Sequence, residues 1–105
     1  MTANPGWGEL WLVEVGAKRR PALVLTRPEI VDRVDRVLVA LATTFVRGLP
    51  SEVPVGPDEG LDVEGVLNLD TPELLARSQF GSYIGEFPRE RWPEICRALS
   101  NAFNS

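Results

Sequence analysis

The stretch VLVALATT, residues 37–44, decides the fold of this chain. It is apolar at every position before its two closing threonines, so neither side of an extended chain there is suited to water. That pattern is typical of a strand buried on both faces of a sheet. The stretch therefore predicts a central strand, around which the rest of the chain is arranged.

Other short stretches have the pattern of strands. ELWLVEV, residues 9–15, alternates apolar and polar side chains, as a half-buried strand does. Short strands are also predicted at residues 21–26, 52–55, 65–69 and 82–87, and a single helical turn within residues 27–35. The sequence thus predicts five or six short strands joined by tight connections.

The C-terminal end is the one clearly helical part of the sequence. Its apolar side chains recur every three or four residues along one helical face, at Trp92, Ile95, Cys96, Leu99 and Phe103. Pro93 falls in the first turn, where its missing N–H has no intrahelical partner to lose. We therefore expect one mostly β domain over residues 1–105 with a C-terminal helix, built as a strongly bent sheet or SH3-like barrel.

Composition bounds the compartment and the class of protein. A chain of 105 residues is long enough for one hydrophobic core. Its single cysteine, Cys96, cannot form an internal disulfide, which favours a reducing cytoplasm. No apolar run approaches the roughly 20 residues that span a bilayer, and the N-terminus lacks the features of a signal peptide. We expect a cytoplasmic protein without a membrane partner.

The charge is unevenly distributed along the chain. The net charge of −4 argues against a general nucleic-acid binder. Residues 18–47, however, hold seven cations against three acids, whereas residues 48–87 hold eight acids against one cation. An acidic chain can therefore still present one basic face.

Several common kinds of catalytic site are missing from the sequence. It has no histidine, the usual acid and base near neutral pH, and no Cys/His cluster to bind zinc. A phosphate-binding glycine-rich loop and a serine nucleophile elbow are also absent. No metal or cofactor is expected. Charge stabilisation at a phosphate suits the residue types that remain, because arginine offers a planar set of donors and keeps its charge.

GAKRRPALVL, residues 16–25, sets three cations directly before a proline and an apolar run. Proline lacks a backbone donor and has a fixed φ, so Pro21 is expected to begin a strand. The cations Lys18, Arg19 and Arg20 then have two interpretations. They form a solvated turn, or one of them is held at the edge of the sheet to meet a phosphate.

Five stretches together resemble the toxins of MazF/PemK type, which are endoribonucleases of bacterial toxin–antitoxin pairs. They are GELWLVEV, KRRPALVLT, RVLVALATTFVRGLPSEVPV, GLDVEGVLNLD and IGEF, running from residue 8 to residue 87. The most specific parts are the Arg20-Pro21 pair and the two threonines at 43 and 44, followed by RGLP. The order and spacing of the motifs carry the resemblance, which extends over nearly the whole chain.

The resemblance implies an SH3-like barrel that forms homodimers and cleaves single-stranded RNA without a metal. In such toxins the RNA 2′-hydroxyl attacks the adjacent phosphate and leaves a 2′,3′-cyclic phosphate and a 5′-hydroxyl. The catalytic arginine and threonine of the family fall on Arg20 and Thr43. We expect a separate antitoxin to cover the basic groove with an acidic, flexible segment. RNA binding is assigned to Lys18, Arg19, Thr44, Arg47 and Asp70.

Two other classes of protein remain open. One is a same-fold toxin that inhibits a protein target, like the gyrase poisons of CcdB type, and the other is an inactive interaction module. The nuclease is favoured because Arg20, Thr43 and Arg47 are all present, and because SNAFNS, residues 100–105, does not resemble the Trp-Gly-Ile-like end of the gyrase poisons. The general base stays unassigned, with Glu14, Asp70 and Glu73 as candidates.

Overall fold

The computed structural model describes residues 4–103, which form seven strands and one α-helix. The elements are β1 (Glu9–Val15), β2 (Lys18–Val24), β3 (Arg36–Thr43), β4 (Glu52–Val55), β5 (Gly65–Asn68), β6 (Glu73–Ala76), β7 (Phe80–Glu86) and α1 (Trp92–Phe103). The predicted helical turn is a short 3₁₀ turn at Val31–Arg33. The mostly β architecture with a C-terminal helix is confirmed.

The central position predicted for residues 37–44 is confirmed, since β3 pairs along both of its edges. One edge pairs with β2, from Val39 to Leu41. The other edge pairs with β6 over its first half and with β5 at its end, where Ala42 and Thr43 lie. The last two residues of β3 are therefore held by different neighbours from the rest of the strand.

All strand pairs are antiparallel, and the sheet runs in the order β4-β5-β3-β2-β1-β7, with β6 beside β3. Within residues 4–103 the two end strands, β4 and β7, do not pair with each other. The sheet is thus not closed. It also has one strand more than predicted. The extra strand, β6, reads ELLA, whose residue types favour a helix, and it is extended because it pairs with β3.

The second strand begins earlier than predicted. β2 starts at Lys18, which pairs with Val15 of β1, so Pro21 lies inside the strand and not at its start. The pairing of β2 with β3 extends only to Ala22. The missing N–H of proline therefore falls where the ladder to β3 ends, as expected for a proline within a sheet.

Hydrophobic cores cover both faces of the central strands. On one face, Leu23 and Ala40 pack with residues of α1, including Ile95. On the other face, Ala22 and Leu41 belong to a second cluster. Successive residues of β2 and β3 enter opposite clusters, because successive side chains of a strand point to opposite faces. This double burial explains the uninterrupted apolar sequence of β3.

Helix α1 is fixed by aromatic and ionic contacts at its first turn. The rings of Trp92 and Trp7 stack with centroids 4.5 Å apart. Arg91 binds the carboxylate of Glu94 through two nitrogens, both at 2.9 Å, and that of Glu59 at 3.0 Å. Hydrogen bonds from Arg91 lower the pKa of Glu94, although burial opposes the shift. No helix within the described residues is long and apolar enough to span a bilayer.

Candidate active site

The register between β2 and β3 brings Arg20 and Thr43 together. Ala22 is opposite Leu41, and continuing this antiparallel register by two residues sets Arg20 opposite Thr43. Alternate residues of a strand share a face, so both side chains belong to the face that holds Ala22 and Leu41. The two residues singled out by the resemblance thus lie side by side where the β2–β3 ladder ends.

The guanidinium of Arg20 is bound to the backbone of β3. Its Nε and Nη2 donate to the carbonyl oxygen of Ala42 at 3.1 and 2.9 Å. Two donors on one acceptor fix the plane of the group next to Thr43. Among the described residues no carboxylate pairs with Arg20. An arginine has five N–H donors, so the half-buried guanidinium retains donors and a full charge for an anionic ligand.

The hydroxyl of Thr43 is also oriented by the backbone. Its Oγ1 accepts a hydrogen bond from the N–H of Phe45 at 3.1 Å. This short side chain-to-backbone turn fixes the direction of the oxygen. Because a hydroxyl both donates and accepts, the hydrogen of Thr43 remains available to a ligand.

An open cleft of about 200 Å³ lies beside this strand end. Its residues come from β1, from β2, from the end of β3 with the residue after it, and from the segment that ends at the first residue of β5: Leu12, Arg19, Pro21, Ala42, Thr43, Thr44, Leu61, Asp62, Val63, Glu64 and Gly65. The structure thus places Thr43, Thr44 and Arg19 in one cleft. Arg20 does not line it, but its guanidinium binds the carbonyl oxygen of Ala42, which is one of the lining residues.

The two other cations of the KRR stretch are exposed. The side chain of Arg19 is 72% exposed and lies 3.8 Å from the carboxylate of Glu14, a contact that contributes little to stability. Lys18 lies at the start of β2, opposite Val15. Both positions suit attraction of a polyanion more than chemistry at a single bond.

Arg47 and Asp70 are brought together, and neither of them lines the cleft. Nη2 of Arg47 lies 3.2 Å from a carboxylate oxygen of Asp70, and its Nε lies 3.3 Å from Glu52. The carboxylate of Glu52 also accepts the backbone N–H groups of Arg47, Gly48 and Leu49 at 2.9 to 3.2 Å. Burial of Glu52 opposes its ionisation, yet these hydrogen bonds outweigh burial and lower its pKa.

Sequence reasoning missed the acidic wall of the cleft. Asp62 and Glu64 line the same cleft as Thr43. Two of the earlier candidate bases are occupied by other partners, since Glu14 contacts Arg19 and Asp70 contacts Arg47. The third, Glu73, is on β6, opposite Val39. The acid-rich composition of residues 48–87 was the one available signal, and it does not say which acids face the cleft.

The fold and the site define a class: an antiparallel sheet with one C-terminal helix that sets an arginine and a threonine side by side at a strand end. The sequence model of the PemK-like, MazF-like toxins of type II toxin–antitoxin systems matches residues 7–103. The chain belongs to this family. The family assignment made from the sequence is confirmed.

Individual relatives agree with this assignment over most of their length. The chain is 38% identical to the probable endoribonuclease MazF5 of Mycobacterium tuberculosis strain H37Rv, over 97% of this chain and 95% of the relative. Its structure is similar to that of the M. tuberculosis toxin MazF-mt6, with a TM-score of 0.86, 33% identity and coverage of 91% and 96%. It is also similar to a mycobacterial endoribonuclease solved in complex with its cognate antitoxin, with a TM-score of 0.85, 27% identity and 95% coverage of both chains.

Proposed function

We propose that this chain is the toxin of a type II toxin–antitoxin pair and a metal-independent, sequence-specific endoribonuclease of single-stranded RNA. The observation that carries the proposal is the guanidinium of Arg20, free of carboxylates among the described residues and fixed beside Thr43. Within residues 4–103 no three His, Cys, Asp or Glu side chains are grouped as metal ligands. The proposed chemistry uses groups of this chain, groups of the RNA and water.

In the proposed reaction the RNA 2′-oxygen forms a bond to phosphorus while the bond from phosphorus to the 5′-oxygen breaks. The 2′-hydroxyl gives its proton to a carboxylate of the cleft wall, for which Asp62 and Glu64 are the candidates. The 5′-oxygen leaves with a proton from water, while Arg20 keeps its charge. The products are a 2′,3′-cyclic phosphate and a 5′-hydroxyl, so no water is consumed in this step.

Arg20 and Thr43 act on the negative charge that develops at phosphorus. The unused N–H donors of Arg20 bind the non-bridging oxygens, and the hydroxyl of Thr43 donates to one of them. Donors that are fixed before the reaction stabilise such charge without reorganisation, which makes this kind of stabilisation a large part of catalysis. The contacts of Arg20 with Ala42 and of Thr43 with Phe45 provide that fixed geometry.

The other assigned residues bind the RNA without taking part in the chemistry. Lys18 and Arg19 attract the backbone, since phosphate contacts supply most sequence-independent affinity. Thr44 lines the cleft next to Thr43 and contacts the nucleotide held there. Arg47, which is 41% exposed and fixed by Asp70, binds a more distant phosphate.

We further propose a homodimer that is silenced by a separate antitoxin in the cytoplasm. Several large apolar side chains are more than half exposed in the single chain, among them Phe45, Val46, Val63 and Leu74. A second copy would cover part of this apolar surface. A solved relative is bound to its cognate antitoxin, which supports a separate antitoxin partner. The exposed cations of the KRR stretch suit an acidic segment of that partner.

The test is incubation of the pure protein with single-stranded RNA in excess EDTA, followed by mass spectrometry of the RNA ends. We expect cleavage with cyclic phosphate and 5′-hydroxyl ends. The control is the same RNA with a single 2′-deoxy nucleotide at the cleavage position, which removes the nucleophile and should stay intact. Cleavage of that control, or loss of activity in EDTA that added metal restores, would contradict the mechanism. An absence of cleavage together with binding to gyrase would favour the protein-inhibiting alternative.

A further inference from the structure

Gly65, the first residue of β5, approaches the end of β3 more closely than any side chain would allow. A Cβ atom at this position would lie 2.3 Å from the carbonyl oxygen of Thr43, 3.0 Å from its carbonyl carbon and 3.4 Å from Cα of Thr44. All three neighbours are backbone atoms, so no flexible side chain can move aside. None of the other glycines has a neighbour this close.

The backbone of residues 42 and 43 is thus held from both sides. The carbonyl oxygen of Ala42 accepts the two donors of Arg20 on the β2 side. The carbonyl oxygen of Thr43 faces the other side, where Gly65 of β5 lies against it and Thr43 pairs with Val66. The position of this strand end relative to Arg20 depends on how closely β5 can approach.

We infer that Gly65 is a positioning residue for cleavage. Because Gly65 has no side chain, β5 can lie close against the Thr43 carbonyl. This contact positions the Thr43 hydroxyl beside the Arg20 guanidinium. The inference rests on the proposed function, because it gives Thr43 and Arg20 their roles. Gly65 itself takes no part in the reaction and acts through the backbone of Thr43.

The size of the expected effect follows from the geometry. Ordinary contact of a Cβ atom begins near 3.4 Å, so a methyl group at Gly65 must separate the two strands by about 1 Å at this point. A misplacement of about 1 Å in a catalytic constellation can cost roughly 10²-fold in rate. Lys18 and Arg19, which are proposed to attract the RNA backbone, belong to β2 and do not move with β5. Gly65 also lines the cleft. The change should therefore lower the cleavage rate at saturating RNA far more than it lowers RNA affinity.

The experiment compares Gly65→Ala with the parent protein in single-turnover cleavage, below the unfolding temperature of both. Affinity is measured separately, with an RNA that carries 2′-deoxyribose at the cleavage position. At saturating RNA we expect a rate roughly 10²-fold lower, with a much smaller loss of affinity. A parent-like rate, or a loss of affinity that accounts for the whole effect, would overturn the inference.

Gly81→Ala is the matched control. Gly81 is also a strand glycine that faces a neighbouring carbonyl, and a Cβ there would lie 3.2 Å from the oxygen of Leu12, which a small adjustment relieves. It is on β7, away from the Thr43–Val66 pair. This variant should cleave at close to the parent rate. An equal loss in both variants would mean that any methyl group in the sheet slows the enzyme, and the inference would be wrong.

A double-mutant cycle separates this inference from the proposed function. If Gly65 acts through Thr43, then adding Gly65→Ala to Thr43→Val should slow cleavage much less than Gly65→Ala does alone. If the rate loss of the double variant equals the product of the two single losses, the inference is wrong. If Thr43→Val cleaves at the parent rate, the catalytic role of Thr43 fails instead, whatever Gly65 does.

A measurement on the parent protein does not depend on the folding of any variant. Because β5 is proposed to hold this strand end, the amide hydrogens of Thr43 and Val66 should exchange with solvent as slowly as those near the middle of β3. The comparison is with residues 62–64, which form an exposed loop segment. Exchange at Thr43 and Val66 as fast as in that loop would contradict the inference, even if Gly65→Ala does not fold.

Discussion

Two arginines that look alike in the sequence occupy opposite environments. Arg20, at the strand end, donates to the carbonyl of Ala42 and has no carboxylate partner among residues 4–103. Arg47, in the loop after β3, is bound by the carboxylates of Glu52 and Asp70. A carbonyl orients a guanidinium but leaves its charge unchanged. Two carboxylates orient the group and also offset its charge. The comparison indicates that Arg20 is available for chemistry and that Arg47 mainly supports its loop.

The largest effect is expected from Arg20→Lys. A lysine retains the charge but not the planar set of donors that binds Ala42 and a phosphate at once. Removing a donor of this kind costs on the order of 10² to 10³ in rate, so cleavage should fall by about that factor while RNA binding persists. Single-turnover cleavage and binding are measured together.

Arg19→Lys is the control for that experiment, because it makes the same chemical change one residue away on an exposed side chain. It should cleave at nearly the parent rate. If Arg20→Lys stays active while Arg19→Lys or Lys18→Ala abolishes cleavage, the catalytic cation has been assigned to the wrong residue.

Thr43→Val should have the next largest effect. The substitution removes one hydroxyl with little change of shape, and with it the hydrogen bond from the N–H of Phe45. A hydrogen bond to a charged group contributes about 1.5–3 kcal/mol, which corresponds to a rate loss of roughly 10- to 150-fold. Thr44→Val is the matched control and should lose less. A larger loss for Thr44→Val would mean that Thr44, and not Thr43, is the catalytic threonine.

Glu52→Gln tests the loop side of the comparison and should affect stability more than cleavage. The carboxylate accepts three backbone N–H groups and pairs with Arg47, and an amide cannot replace all of these contacts. Loss of hydrogen bonds to a charged group costs about 1–3 kcal/mol in the free energy of unfolding. Chemical denaturation measures that loss. A stability equal to that of the parent would show that Glu52 does not hold the loop.

The pH dependence of stability gives a second test of the role of Glu52. The pKa of Glu52 is lowered in the folded protein, so its contribution is complete above the pKa of the unfolded chain and is lost as the pH falls through the folded pKa. The parent should therefore lose more stability than Glu52→Gln on acidification. Parallel pH profiles of the two proteins would contradict this role.

The sequence predicts those features of the structure whose cause lies in neighbouring residues. The burial of β3 follows from its own apolar residues, and the predicted strand and its central place are confirmed. The ELLA segment of β6 was missed because only its pairing with β3 makes it extended. The Arg20–Thr43 pair came from the resemblance to a family, since no pattern in the residues shows that the two strand ends meet. The roles of Glu52 and Gly65 depend on contacts between distant segments, which no local signal reveals.

The smallest expected effect is a change in the salt dependence of RNA affinity. It directly compares a weakly paired arginine with one that two carboxylates bind. Each phosphate contact on single-stranded RNA contributes about 0.7 to the slope of log affinity against log salt concentration. Arg19→Ala, which removes an exposed and weakly paired cation, should reduce the slope by about that amount. Arg47→Ala should reduce it less, because Glu52 and Asp70 already offset much of the charge of Arg47 before any RNA binds. The measurement is RNA affinity over a series of salt concentrations, with the cleavage position blocked by 2′-deoxyribose. Equal reductions for the two variants would show that the carboxylates do not weaken Arg47 as an RNA contact. The difference between Arg20 and Arg47 would then concern catalysis and not RNA binding.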